Sequence, residues 1–421
     1  MLLLWVTLTS GTVLADATPV GDEFQINAYT TGIQGLPNAA VAPDGSFVVI
    51  WESDGQDGDG FGTFLRRFDR QGNALTGDLQ VAENTFSDQV DADVAMYSDG
   101  SFVVVWDADG ASDGSYRGIF GRCFDSAGAP VGGEFAVNQG TLGDQNDAVI
   151  APTVDGGFVV VWESHPPLGT YEDLLARRFD SSAQPVGNDY QINVFTTGDQ
   201  EDADIAVDGS GNFVVVWESD AQDGSYDGVF GRRLDSSGQP LGDEFAVNTY
   251  VPGDQDNPSL AVRSDGSFVV AWEDNTQLGL DDSIWARFFD STGSPTTTPF
   301  QVETATGVQF LPRVAIDSEG QAVVVWEGEE AGDPSMADVY YRVFEDTGQA
   351  LTNEATIPLQ DDGNQTLPVV AFNGIGDGIV AWMTNIHDGD AVGVFARRLG
   401  SPIFTDGFES GNTAAWSITV D

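Results

Sequence analysis

Apolar residues fall along this chain in short, regularly returning blocks. The block Phe47-Val48-Val49-Ile50-Trp51-Glu52 recurs as Phe102–Asp107, Phe158–Glu163, Phe213–Glu218 and Phe268–Glu273, with weaker copies at Ala322–Glu327 and Gly378–Met383. Its tryptophans, Trp51, Trp106, Trp162, Trp217, Trp272, Trp326 and Trp382, stand 54 to 56 residues apart. A strand with one wet face alternates apolar and polar residues, whereas these blocks are apolar throughout and predict a strand covered on both faces. No segment carries a 3.6-residue period over helical length.

Turn residues divide each of the seven units into four strands. In the fourth unit, strand A is expected near Asp204–Val207, followed by the turn Gly209-Ser210-Gly211 and strand B at Phe213–Glu218. A polar loop leads to strand C at Val229–Leu234, and the turn Asp235–Pro240 leads to strand D at Glu244–Asn248. Four-stranded units packed face to face around an axis cover both faces of strand B. The predicted fold is therefore all-β: a seven-bladed β-propeller of four-stranded antiparallel blades. The seventh unit lacks strand D, and Asp22-Glu23-Phe24-Gln25-Ile26-Asn27 matches the D segment Asp243-Glu244-Phe245-Ala246-Val247-Asn248. The N-terminal strand is expected to complete the last blade, which removes an exposed edge and closes the ring. Cys123 is the only cysteine, so an intramolecular disulfide cannot do that work.

Two polar positions recur in every unit beside the tryptophan. Strand C carries an arginine, at Arg66, Arg122, Arg177, Arg232, Arg287, Arg342 and Arg397, flanked two residues away by mostly aromatic or leucine side chains. This pattern predicts a guanidinium stacked between blades, with the acid that follows Trp in six of the seven B strands as its counter-charge. Before each strand A stands a glutamine, at Gln34, Gln89, Gln145, Gln200, Gln255, Gln309 and Gln365, whose amide can satisfy loop backbone groups. All three read as scaffold, which leaves function to whatever differs between units.

Charge narrows the partners. With 67 acidic and 15 basic residues the formal net charge is −52, and every basic residue is arginine. Such a field repels nucleic acid and anionic lipid. It favours hard divalent cations bound through oxygen. Residues 1–17, apolar and ending in small residues, read as a signal peptide, though without the usual basic start. Residues 18–400 form a single expected propeller domain and 401–421 a short tail. The mature chain is expected to be secreted or cell-surface, monomeric and not membrane-inserted.

The long B–C loops and the D–A connections emerge on one side of such a ring, and both are acidic. Asp54, Asp57, Asp59, Asp107, Asp109, Asp199, Asp220 and Asp223 are the candidate Ca²⁺ ligands, although no loop has a full EF-hand spacing. The residues form no catalytic constellation. His165 and His387 lie in B–C loops of different units, and there is no lysine. The expected function is a non-catalytic binding or structural scaffold engaging a protein or glycan through the acidic face. The alternative is a polysaccharide-active propeller enzyme, a hydrolase or lyase.

The run Gly211–Asn248, with its Phe-Val-Val-Val-Trp, Gln-Asp-Gly, Gly-Arg-Arg-Leu-Asp-Ser-Ser-Gly-Gln-Pro and Glu-Phe-Ala-Val-Asn segments, resembles repeats of large secreted bacterial surface and adhesin-like proteins. Integrin-type propellers are more distantly similar, but their alternating aspartates between strands A and B are missing here. The tail Asp406-Gly407-Phe408-Glu409-Ser410-Gly411 is similar to a short motif near the ends of many secreted bacterial proteins. These resemblances imply export and a propeller fold.

Overall fold

The computed structural model describes residues 17–400, apart from 109–116, 166–170, 276–281, 305, 331–332, 360–362, 375, 386–388 and 390. Residues 1–16 of the expected signal peptide, the tail motif, Asp109 and His387 lie outside the described residues, while Ala17 is buried in the core. Among those described, 28 strands form seven four-stranded antiparallel sheets, and no helix is long and apolar enough to cross a membrane. Six sheets run A-B-C-D in chain order. The seventh pairs the N-terminal strand Thr18–Gln25 with Gly393–Gly400, followed by Gly378–Thr384 and Gln365–Phe372. Thr18 stands opposite Gly400 and Gln25 opposite Phe395, with a bulge between Val20 and Phe24. The ring closes through the strand expected to close it.

The tryptophans fill the spaces between blades. All seven are at most 1% exposed, each inside one of the apolar clusters that bridge neighbouring sheets. The glutamines are buried beside them. Gln200, Gln309 and Gln365 accept the indole N–H of Trp217, Trp326 and Trp382 at 2.8–3.0 Å. Gln34, Gln145 and Gln255 instead accept from Asn27, Asn138 and Asn248 at 2.6–3.2 Å. Their own amides donate to loop carbonyls, as Gln145 does to Gly143 at 2.9 Å.

Each strand-C arginine is an inter-blade staple. Arg66, Arg122, Arg177, Arg232, Arg287, Arg342 and Arg397 donate from Nη1 to the D-strand carbonyls of Ile26, Val81, Val137, Ile192, Val247, Val302 and Ile357 in the preceding blade. Five of the guanidinium groups also stack over the phenylalanine two residues on, 5.4–5.8 Å from the ring centre. Their counter-charges differ from expectation. Arg66, Arg122 and Arg177 meet Asp78, Glu83 and Asp189 at 4.0, 2.6 and 3.4 Å, all near strand D. The acid after Trp lies three residues along strand B from the residue opposite the arginine (Val49 for Arg66), which places it on the other face of the sheet.

That acid has another partner. Every strand A is bulged, and the bulge holds a residue at positive φ: Leu36, Asp91, Asp147, Asp202, Asn257, Leu311 and Leu367, between 47° and 51°. The bulge turns one N–H out of the ladder. Glu52, Glu163 and Glu327 accept that N–H from Asp91, Asp202 and Leu367 at 2.7, 2.7 and 3.1 Å, and Glu273 accepts it from Leu311. Asp107 does the same for Asp147. At the seventh interface Met383 replaces the acid, and its Sδ lies 3.3 Å from the Leu36 nitrogen.

Candidate functional site

The A strands line the axis of the ring and enclose a cavity of about 250 Å³, bordered by Asn38, Asp93, Asp204, Ser259 and Arg313. Asp93 and Asp204 span blade interfaces there. Their Oδ2 atoms accept the backbone N–H of Ile150 and Leu260 at 2.8 and 2.7 Å. Burial raises the Asp93 carboxyl to about 7 despite these bonds.

Above the cavity, on the B–C side, one acid breaks the stapling pattern. Among the six acids that follow Trp, Glu218 makes no bond to the bulge N–H of the next blade, which here belongs to Asn257. Its carboxyl stands with those of Asp227 and Asp256, with one oxygen from each within 4.8 Å of the others. Among the described residues no other trio of potential metal ligands meets this closely. The three come from the end of strand B (Phe213–Asp220), the start of strand C (Asp227–Leu234) and the start of the next blade's strand A (Gln255–Val262). The Asp256 Oδ1 atom is buried without a hydrogen-bond partner.

Burial and mutual repulsion raise all three carboxyls of this trio. Desolvation first, then the charges of Asp256 and Asp202, push Glu218 up to about 9. Desolvation and Asp254 push Asp256 up to about 8. Asp227 is raised by desolvation and by Asp254, Asp220, Asp199 and Asp223. A carboxyl that keeps its proton beside one that loses it more readily is the usual composition of an acid–base site.

The same three positions one blade earlier are Glu163, Glu172 and Glu201. Desolvation and the charge of Asp147, with a side-chain hydrogen bond to Glu172, raise Glu163 strongly. Desolvation and the Glu172 charge bring Glu201 to about 7. His165, expected to be a plain loop residue, lies with Nδ1 3.0 Å from Glu172 Oε1. Acidic character is thus concentrated at two adjacent interfaces of the ring mouth.

None of the expected metal ligands belongs to this trio. Asp199, Asp220 and Asp223 form part of the rim whose charge raises Asp227. Asp199 also accepts the Glu172 N–H at 2.9 Å, and Asp223 that of Ser225 at 3.0 Å. Asp57 and Asp59 cap their own loop and the next one, accepting from Asp59 and Ser87 at 3.2 Å each. Asp54 is exposed. Asp107 is fully buried and pairs with Arg117 at 3.3 Å.

No protein-family model matches the sequence, and no curated protein sequence matches it. Solved structures do resemble the fold. The chain is similar to polysaccharide lyase Uly1, with TM-score 0.55 and 9% identity over 91% of this chain and 93% of that one. It is also similar to a protein of unknown function from Dyadobacter fermentans, with TM-score 0.52 and 11% identity over 76% and 96%. A fungal alcohol oxidase of the AA5 family, in complex with copper, gives TM-score 0.50 and 10% identity over 92% and 76%. The likeness is one of fold: this chain is a seven-bladed β-propeller.

Proposed function

We propose that the protein is an extracellular polysaccharide-active propeller whose chemistry is run by Glu218, Asp227 and Asp256. The observation that carries this reading is the release of Glu218 from its scaffold bond into a cluster of three converging carboxyls. At neutral pH Glu218 is protonated and can donate to a glycosidic oxygen, while Asp227 acts as carboxylate on the sugar. Oxygens within 4.8 Å are closer than the roughly 6.5–9.5 Å that an inverting reaction needs for its water, so the spacing suits a retaining hydrolysis. Uly1, whose fold covers most of this chain, is named a polysaccharide lyase, so a propeller of this fold can act on a polysaccharide.

Reducing-sugar release from a polysaccharide panel tests the reading. Glu218→Gln keeps the shape but removes the proton donor, and a fall in kcat of at least about 100-fold is expected. Release by the variant at the parent rate, or none by the parent on any polysaccharide, would return the chain to a non-catalytic binding scaffold.

A second reading, Ca²⁺ at the same trio, is favoured by the unpartnered Asp256 Oδ1 and by three converging hard oxygen donors. A cation would displace the protons and relieve the repulsion. Its saturation at about 100 times Kd would stabilise the fold by about 2.7 kcal/mol. At mildly alkaline pH and fixed ionic strength, melting with millimolar Ca²⁺ is then expected several degrees above melting with chelator. Coincident midpoints would rule the cation out.

A further inference from the structure

The position equivalent to the one that precedes Asp227 differs between blades and, on the third and fourth, faces solvent, unlike the recurrent Trp, Arg and Gln. On the third and fourth blades it is tyrosine: Tyr171, 40% exposed, and Tyr226, 68% exposed. Tyr171 immediately precedes Glu172 and Tyr226 immediately precedes Asp227, so each stands next in the chain to a carboxyl of one of the two acidic interfaces. Tyr116 holds the same position in the second unit and lies outside the described residues. Neither described ring stacks on another aromatic, and the Tyr226 backbone is anchored by its carbonyl accepting the Ala221 N–H at 2.8 Å.

We propose that Tyr171 and Tyr226 are a sugar-stacking platform that lays a neutral polysaccharide across the third and fourth blades and feeds it to the Glu218–Asp227–Asp256 trio. The proposal rests on the polysaccharide reading above and names its substrate class. A tyrosine offers a wide apolar face with a polar tip, which suits a ligand whose ring faces are C–H and whose edges are hydroxyl. A large ring held in water gains by being covered. Charge selects the polymer: a chain of net charge −52, with carboxyls crowding the mouth, repels uronate or sulfated glycans and leaves neutral ones. Carboxyls that repel an anion still hydrogen-bond the hydroxyls of a neutral sugar.

The test measures binding and turnover on the full chain with a neutral β-glucan, a galactomannan and a linear arabinan, against alginate and polygalacturonate. Tyr226→Ala is expected to weaken binding of the neutral ligand at least tenfold, with the turnover loss falling on KM rather than kcat. Tyr226→Phe is expected to retain binding, and both variants should melt with the parent because the side chain is exposed. Unchanged binding by Tyr226→Ala, or binding of the anionic polymers alone, overturns the platform whether or not the parent forms product. Tyr226-dependent binding without product keeps the platform and removes the catalytic reading. No binding to any of the five polymers, neutral or anionic, removes both.

Discussion

Ile26→Asp is expected to leave no folded ring. Ile26 is completely buried in the core between the last and first blades. Its N–H donates to the Val394 carbonyl at 2.8 Å, and its carbonyl accepts from Arg66 at 2.8 Å. Phe24, two residues earlier on the same face, packs against Phe47 and Phe68 with ring centres 6.4 and 5.7 Å away. One short segment therefore supplies the last blade's fourth strand, the seventh arginine-staple acceptor and part of the interface to the first blade. Truncation to alanine should cost about 2–5 kcal/mol. An aspartate there is a buried charge without a partner and should cost more than a marginally stable fold holds.

The equivalent Ile192 makes a control, because its strand is tied to its own blade by a short C–D turn, whereas Ile26 is held only by pairing with the far end of the chain. The same interface also has Met383 where the other six have an acid, so its inner staple is a thioether. Ile26→Ala is expected to broaden the melting transition and raise amide exchange in the last blade first, and Ile192→Ala to lower the midpoint while keeping it sharp. A cooperative Ile26→Asp transition within a degree or two of the parent would show that the N-terminal strand does not close the ring.

The fold was legible because its signals are local and repeated. The Phe-Val-Val-Val-Trp block states burial on both faces, and the Asp-Gly and Gly-Gln-Pro turns state strand length. The kinship of Asp22–Asn27 with Asp243–Asn248 states closure. The bulge in strand A was not legible, because its positive-φ residues are Leu, Asp or Asn rather than glycine. Without it, the acid after Trp reads as a partner for the arginine instead of an acceptor for a freed N–H.

The site was legible only at its rim. Its three carboxyls come from different segments and two blades, and five residues equivalent to Glu218 are scaffold. One signal was available: among the residues that follow the recurrent glutamine, only Glu201 and Asp256 are acidic, and they mark the two interfaces where carboxyls crowd. A search confined to acid-rich loops favours Asp57 and Asp59, which bond within and between their loops, over Asp256, whose neighbours in sequence are a glutamine and an asparagine.

Stability is expected to fall as pH rises from about 5 to about 9, the reverse of what so many ordinary carboxylates would give. Glu218, Asp256, Glu201, Glu52 and Glu273 are raised to about 9, 8, 7, 7 and 7, each chiefly by burial. An acid whose folded pKa lies above its unfolded one binds more protons in the native state between the two values. Its stabilising contribution is complete below the unfolded pKa, near 4.5 for Glu, and is lost as pH climbs through the folded pKa. Turn aspartates act oppositely. Hydrogen bonds from Ser46, Ser101, Thr153, Ser237 and Ser267 lower Asp44, Asp99, Asp155, Asp235 and Asp265, so their contribution is present above the unfolded value and lost as pH drops below it. The two sets bracket a maximum near pH 4–5. Melting from about pH 3 to 9 at constant ionic strength should trace that maximum, with a fall of roughly 10 °C on the alkaline side. Glu218→Gln, which fixes the neutral form, should flatten the alkaline limb, because the proton it replaces is the one lost last among these five. A profile that stays level or rises from pH 5 to 9 would mean that the mouth carboxyls are ionised and already neutralised by something else, and a bound cation is the partner their geometry would take.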